Sequence, residues 1–263
     1  MPDPRPIGVF DSGVGGLAVL AEIRRLLPAE DLVYFADTAH FPYGEKPEEE
    51  VRARSEAVVE RLIERGVKLV VVACNTATSA AADHLRERFP LPFVAMEPAV
   101  KPAAARTRTG RIAVLATEGT LEGRRLASLV QRYANGAKVL TLPGTGLAEA
   151  VERGDLAPEA LLRRALAPLE REEVDTLALG CTHYFFLRPA IERILGPRVE
   201  VIDTAEPVAR RVRQVLDELD LAAPPGRQGR VTYLTSGDPE AFARVRERLL
   251  AGSLAGAAHG EGR

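Results

Sequence analysis

The chain has 263 residues, 46% of them hydrophobic and 27% charged, enough apolar material to fold as one large domain or two small ones. Its 35 basic and 37 acidic residues leave a net charge of -2, which provides no electrostatic footprint for nucleic acid. No apolar run reaches the roughly 18–20 residues of a membrane span, and the proline-rich stretch from Met1 to Ile7 lacks a signal-peptide core, so a cytoplasmic protein without a membrane partner is expected.

Short apolar runs alternate with longer helical ones. Strands are predicted at Ile7–Phe10, Leu32–Phe35, Lys68–Val72, Phe93–Ala95, Ile112–Ala116, Lys138–Leu142, Thr176–Leu179, Val199–Ile202 and Val231–Leu234. These runs are continuously apolar rather than alternating, as strands covered on both faces are. Between them, Glu48 to Arg65 sets Val51, Val58, Val59, Leu62 and Ile63 on one helical face, with Gly66 as a stop. Pro158 opens a helix expected to bury Leu161, Leu162, Ala165, Leu166 and Leu169. From Pro207, the residues Val208, Val212, Val215, Leu216 and Leu219 recur at helical spacing. The alternation predicts an α/β fold with mostly parallel sheets flanked by helices. The Gly- and Ala-rich tail beyond Leu250 is expected to fray.

The chain has only two cysteines, Cys74 and Cys181, 107 residues apart. Each follows an apolar strand, in Ala73-Cys74-Asn75-Thr76 and in Gly180-Cys181-Thr182-His183. A cysteine after a buried strand is by default a small core hydrophobe. Placed at a helix start, among hydroxyl and amide groups, it can instead have its thiol pKa lowered from about 8.5. In a reducing cytoplasm, both are expected to be free thiols. Ligands in open α/β sheets bind beyond the carboxyl ends of strands, so the matched segments imply two similar domains with a site between them. A metal centre is not expected, because there is no Cys-x-x-Cys and only four histidines, His40, His84, His183 and His259. A Cys-His hydrolase using His183 is a further reading, but it leaves one cysteine unexplained.

The loop Asp11-Ser12-Gly13-Val14-Gly15-Gly16 follows a strand and precedes a helix. Glycines there allow a tight turn, and a helix N-terminus favours an anion. The spacing is neither G-x-G-x-x-G nor a P-loop, so a small carboxylate ligand suits it better than a nucleotide. The plain alternative is a strand–helix turn capped by Asp11 or Ser12.

The segments Phe10 to Leu17, Phe41-Pro42-Tyr43-Gly44-Glu45-Lys46, Ala73 to Ala77, Gly180 to Tyr184 and Thr235-Ser236-Gly237-Asp238-Pro239 together resemble the signatures of glutamate racemases, in the same order along nearly the whole chain. The resemblance implies a cofactor-independent racemase with glutamate as its small-molecule substrate, supplying D-glutamate for peptidoglycan; a racemase for aspartate or a related amino acid is the alternative. It also implies two pseudo-symmetric α/β domains around a cleft. Residues 1–97 and 208–263 would form the first domain and residues 98–207 the second. A homodimer is the assembly such a resemblance implies. Cys74 would act on the D-enantiomer with Asp11 assisting, and Cys181 on the L-enantiomer with His183 assisting. Asp11, Ser12, Pro42, Tyr43, Gly44, Asn75, Thr76, Thr117, Thr120 and Thr182 would contact the substrate. A catalytic glutamate would be Glu152, with Glu149 as the alternative. The chain departs from the family's pattern at Phe185-Phe186, where Pro is usual, at Ala36-Asp37, where Gly-Asp is usual, and around Gly144-Thr145-Gly146.

Overall fold

The structure is a computed structural model and describes residues 2–257. It begins with β1 (Ile7–Asp11), α1 (Leu17–Leu26), β2 (Leu32–Ala36), α2 (Glu48–Ile63), β3 (Leu69–Val72), α3 (Asn75–Arg88) and β4 (Phe93–Ala95). After α4 (Val100–Arg106) come β5 (Arg111–Ala116), α5 (Glu118–Leu121), α6 (Arg124–Tyr133), β6 (Lys138–Pro143), α7 (Leu147–Glu152), α8 (Glu159–Leu166), β7 (Thr176–Leu179), α9 (Arg188–Leu195) and β8 (Glu200–Ile202). The chain returns through α10 (Ala205–Glu218) to β9 (Val231–Thr235) and α11 (Pro239–Ala257). Each predicted strand forms within one residue of its expected ends.

The strands assemble into two sheets, ordered β4-β3-β1-β2-β9 and β6-β5-β7-β8, and every pairing is parallel. Apart from the edge strand β9, the two sheets share one winding. The first strand sits between the second and the third, and the fourth lies outside the third. The chain therefore reverses direction between β1 and β3 in one sheet and between β5 and β7 in the other. A crevice opens beyond the carboxyl ends of strands at such a reversal. Asp11 ends β1 and Cys74 follows β3, while Thr117 follows β5 and Cys181 follows β7. β1, β3 and β7 are buried along their whole length, which is why their sequences are continuously apolar.

The largest apolar cluster spans both sheets, bringing Ile7 and Leu20 together with Leu115, Leu177 and Val212. Phe185 belongs to this cluster and Phe186 packs against it, so the departure from proline there is accommodated in the core. Two predicted core positions are not core. Ile63 is the last residue of α2 and is 38% exposed, because Leu62 already occupies the inward position there. Leu219 lies beyond the last turn of α10 and is 51% exposed. In α8 only Leu162 and Leu166 are fully buried; Leu161 and Ala165 are half-buried, and Leu169 is buried on the turn after the helix. The expected fraying after Leu250 does not begin there, since α11 continues to Ala257, and the rest of the tail lies outside the described residues. Among the described residues, no helix is long and apolar enough to cross a membrane.

Asp175 ties the second sheet to the turn before β5. Its carboxylate accepts from the Thr107 hydroxyl at 2.6 Å, the Arg108 and Thr109 amides at 2.7 and 3.0 Å, and the Thr176 hydroxyl at 3.1 Å. Burial pushes its pKa up, but these donors outweigh it and hold the carboxyl at about 2. A depressed carboxylate stabilises the fold above its unfolded pKa and ceases to as pH falls through the folded one. Asp175→Asn is therefore expected to cost about 2 kcal/mol at neutral pH. Urea titrations of variant and wild type should converge as pH falls from about 4 to 2. An equal difference at both extremes would exclude this linkage.

Candidate active site

The two cysteines leave their strands in nearly the same extended conformation, with φ/ψ of -138°/122° at Cys74 and -141°/134° at Cys181. Both are free, buried, and walls of one cleft between the carboxyl ends of the two sheets. Beyond the thiols the two chain paths diverge. Cys74 caps α3, its Sγ accepting the Ala77 amide at 3.4 Å. Cys181 leads into a short 3-10 turn, Thr182–Phe185, and its Sγ lies 3.7 Å from His183 Nδ1. The matched surroundings expected from sequence hold for the strand exits but not for the helices beyond.

The helix start does not lower the Cys74 thiol. Burial first, then the negative charge of Asp11, push its pKa well above the usual thiol range, and the Ala77 and Ser12 amides only partly offset them. Asp11 is itself pushed up by burial, with the His183 charge and the Gly16 amide pulling the other way. At His183, burial favours the neutral ring, but hydrogen bonds to Cys181 and Glu152 outweigh it and raise the imidazole well above its ordinary value.

The glycine loop does hold a carboxylate, but the carboxylate belongs to the protein. Glu152 Oε1, at the end of α7, accepts the Val14 amide at 2.6 Å and lies 2.7 Å from His183 Nε2. A Cβ at Gly13 would fall 1.8 Å from that oxygen, so glycine is required for the approach. Asp11 folds the same loop from below, accepting the Ser12 amide at 2.7 Å and the Gly16 amide at 2.6 Å. Asp11 also accepts the Thr182 hydroxyl at 3.2 Å from across the cleft. Asp11 thus holds the strand–helix turn together, while α1 itself starts from Gly16 without a side-chain cap. Glu149, the alternative to Glu152, lies instead beside Gly144 and Tyr184, in a neighbouring cavity.

Hydroxyl and amide groups complete the cleft. Thr76, Thr117 and Thr120 meet hydroxyl to hydroxyl at 3.1 to 3.3 Å, Thr76 from the first sheet's side and the other two from the second's. Asn75 is buried, yet among the described residues neither its amide nitrogen nor its amide oxygen has a partner. A buried amide left unsatisfied is costly, so this one is a ready contact for a polar ligand. Ser12 Oγ lies 3.9 Å from Cys74 Sγ. Pro42, Tyr43 and Gly44 form another wall, with the Tyr43 hydroxyl donating to Asp37 at 2.6 Å. Every residue expected to contact substrate lines this cleft, and Glu152 stands behind His183. Ala148 also lines it and was not expected, since a small residue on a helix carries no sequence signal; Phe41 and Gly180, which flank predicted contact residues, line it too. A groove of about 900 Å³ lies at the opposite, amino-terminal end of the second sheet and carries neither cysteine.

The profile of the Asp/Glu/Hydantoin racemase family matches residues 7–212. The chain is 49% identical over 248 residues to a glutamate racemase of Herpetosiphon aurantiacus, covering 93% of this chain and 98% of the relative. It is 52% identical over 243 residues to one of Pseudomonas aeruginosa, covering 91% of each. Among solved structures, the Escherichia coli glutamate racemase in complex with L-glutamate and an activator superposes with a TM-score of 0.83 at 36% identity, covering 94% of this chain and 96% of that one. The Francisella tularensis enzyme in complex with D-glutamate gives 0.82 at 28% identity, covering 95% and 94%. With nearly its full length matched by glutamate racemases in both sequence and structure, the chain is an isomerase belonging to the Asp/Glu/Hydantoin racemase family.

Proposed function

We propose that this chain interconverts L- and D-glutamate by two-base proton transfer between Cys74 and Cys181, without a cofactor. The observation that carries the reading is two free thiols in matched strand-exit conformations on one cleft, with Asp11 beside one and His183 beside the other. The α-proton of an amino acid is very weakly acidic, so inversion needs a base on one face and an acid on the other. Burial and Asp11 keep a proton on Cys74, which makes Cys74 the acid of the first turnover. Cys181 Sγ takes the proton from Cα, and Cys74 Sγ delivers its own to the opposite face. That direction is L to D. In the reverse direction, Cys74 first gives its proton to Asp11, whose own pKa is raised, and Cys181 takes one from His183, so that Cys74 Sγ can remove the Cα proton and Cys181 Sγ can deliver its own to the opposite face. His183, kept protonated through Cys181 and Glu152, holds positive charge beside the other thiol. The Asn75 amide and the threonine hydroxyls are suited to the substrate's carboxylates and ammonium.

The same reading places the protein in the cytoplasm, supplying D-glutamate for peptidoglycan, as a homodimer with units bounded at residues 1–97 with 208–263 and at 98–207. Complexes of the Escherichia coli and Francisella tularensis relatives with L- and D-glutamate support glutamate over aspartate. A Cys-His hydrolase would use the Cys181–His183 contact but assigns nothing to Cys74 and Asp11. The test is deuterium wash-in at Cα, followed by NMR in D2O with L- and D-glutamate and both aspartate enantiomers. Exchange and inversion are expected with glutamate, and with aspartate at least about tenfold more slowly, since one methylene is worth about 1–3 kcal/mol. No exchange with either glutamate enantiomer would end the proposal.

A further inference from the structure

The motif Thr235-Ser236-Gly237-Asp238-Pro239 lines no part of the cleft, and the proton-transfer scheme gives it no role. Its surroundings are specific. β9 runs parallel to β2 with Thr235 opposite Ala36, so the turn after β9 lies against the segment that leaves β2. That segment, Thr38–His40, is a single 3-10 turn, and it delivers the chain to the wall formed by Phe41, Pro42, Tyr43 and Gly44. Thr235 and Thr38 share a hydroxyl–hydroxyl bond at 2.6 Å. Ser236 Oγ accepts the Ala39 amide at 3.1 Å, and the Ser236 amide donates to the Ala36 carbonyl at 3.1 Å. The Gly237 amide donates to Thr235 Oγ1 at 3.2 Å, and a Cβ on Gly237 would fall 2.5 Å from Thr38 Oγ1. Downstream, Asp238 Oδ1 accepts the Glu240 and Ala241 amides, which starts α11 and anchors the turn from its other side.

We propose that Ser236 and Gly237 are positioning residues for the substrate-binding wall, acting through Thr38 and Ala39 on Pro42, Tyr43 and Gly44; this rests on the racemase reading of the cleft. The wall is fixed at one end by this turn. At the other end Gly44 sits against the second sheet, where a Cβ at Gly119 would fall 2.7 Å from the Gly44 carbonyl oxygen. A brace of this kind sets where the wall meets the substrate and does not touch the reacting atoms. Its loss therefore weakens binding of substrate and transition state alike, which raises KM while leaving kcat.

The test is steady-state racemisation of L- and D-glutamate by the wild type, Gly237→Ala, Thr38→Ala, the Gly237→Ala/Thr38→Ala pair and Ser236→Ala. Gly237→Ala forces Thr38 Oγ1 aside, so KM is expected to rise about tenfold in both directions with kcat within about twofold. Thr38→Ala removes the clashing atom, so the pair should return to within about twofold of the Thr38→Ala KM. Lower kcat at unchanged KM would mark general loss of folded enzyme and overturn the proposal. So would a raised KM that Thr38→Ala does not relieve. If Gly237→Ala does not fold, Ser236→Ala decides: it removes the acceptor of the Ala39 amide and a hydroxyl that also hydrogen-bonds Asp37, the partner of Tyr43, a KM rise of about threefold is expected, and an unchanged KM overturns the proposal. A wild type that does not racemise glutamate would instead sink the functional reading itself, so the two failures are distinguishable.

Discussion

Cys74→Ala and Cys181→Ala are each expected to lower kcat by about 10³-fold or more in both directions, because each removes an obligatory acid or base from one face of Cα. Thermal melts within a few degrees of wild type should accompany the loss, since each substitution removes a single sulfur from the lining of the cleft. The variants also separate the faces. In Cys74→Ala the remaining thiol, Cys181, still meets the L-enantiomer, so in D2O deuterium should enter L-glutamate slowly without inversion. D-glutamate should stay unlabelled. Cys181→Ala should show the mirror pattern. Wild-type turnover by either variant would exclude a two-base mechanism, and equal labelling of both enantiomers by one variant would exclude the assignment of faces.

The largest expected loss of stability is at Lys68, far from this chemistry. Its ammonium is completely buried and lies 2.6 Å from Glu30 Oε2, whose side chain is 3% exposed. It also donates to the Asp3 carbonyl at 2.7 Å, while Glu30 Oε1 accepts the Ala223 amide at 2.7 Å. The pair therefore pins the start of the chain and the segment leading to β9 at the amino ends of β1, β2 and β3. Two charges taken from water repay their desolvation only while both are present. Lys68→Met strands the Glu30 carboxylate in the interior and is expected to cost about 3–5 kcal/mol, or about 10 °C in Tm. Lys68→Met with Glu30→Gln should cost clearly less than Lys68→Met alone. The kcat of the remaining folded protein should match wild type at low temperature, because the pair is at the opposite end of the sheet from the cleft. A loss under about 1 kcal/mol for the single variant would show that the pair contributes nothing net.

The strands were legible because a strand buried on both faces must be apolar throughout, and β1, β3 and β7 are. Helix faces were less legible at their ends. Ile63 and Leu219 fit the helical period, but the helices stop there and the residues turn to solvent. The glycine loop was expected to receive a small carboxylate ligand, and the carboxylate it holds is that of Glu152, 138 residues on in sequence. No local pattern carries that pairing, since it depends on how two separately wound sheets face each other. The same holds for Thr235 and Thr38, 197 residues apart, which meet because β9 is added at the edge beside β2.

The sequence by itself determined the strand–helix alternation, the two strand-exit cysteines and most of the polar residues around them, because these arise from local periodicity and short motifs. Only the tertiary structure decided the protonation of Cys74. A helix start argues for a lowered thiol pKa, whereas burial and the Asp11 charge, both products of packing, reverse the sign. It also decided which glutamate meets His183 and that the Asn75 amide stands unpartnered in the cleft. Desolvation and charge–charge distance belong to the folded arrangement of distant segments, so the paired cysteines were visible in the chain while the raised pKa of Cys74 was not.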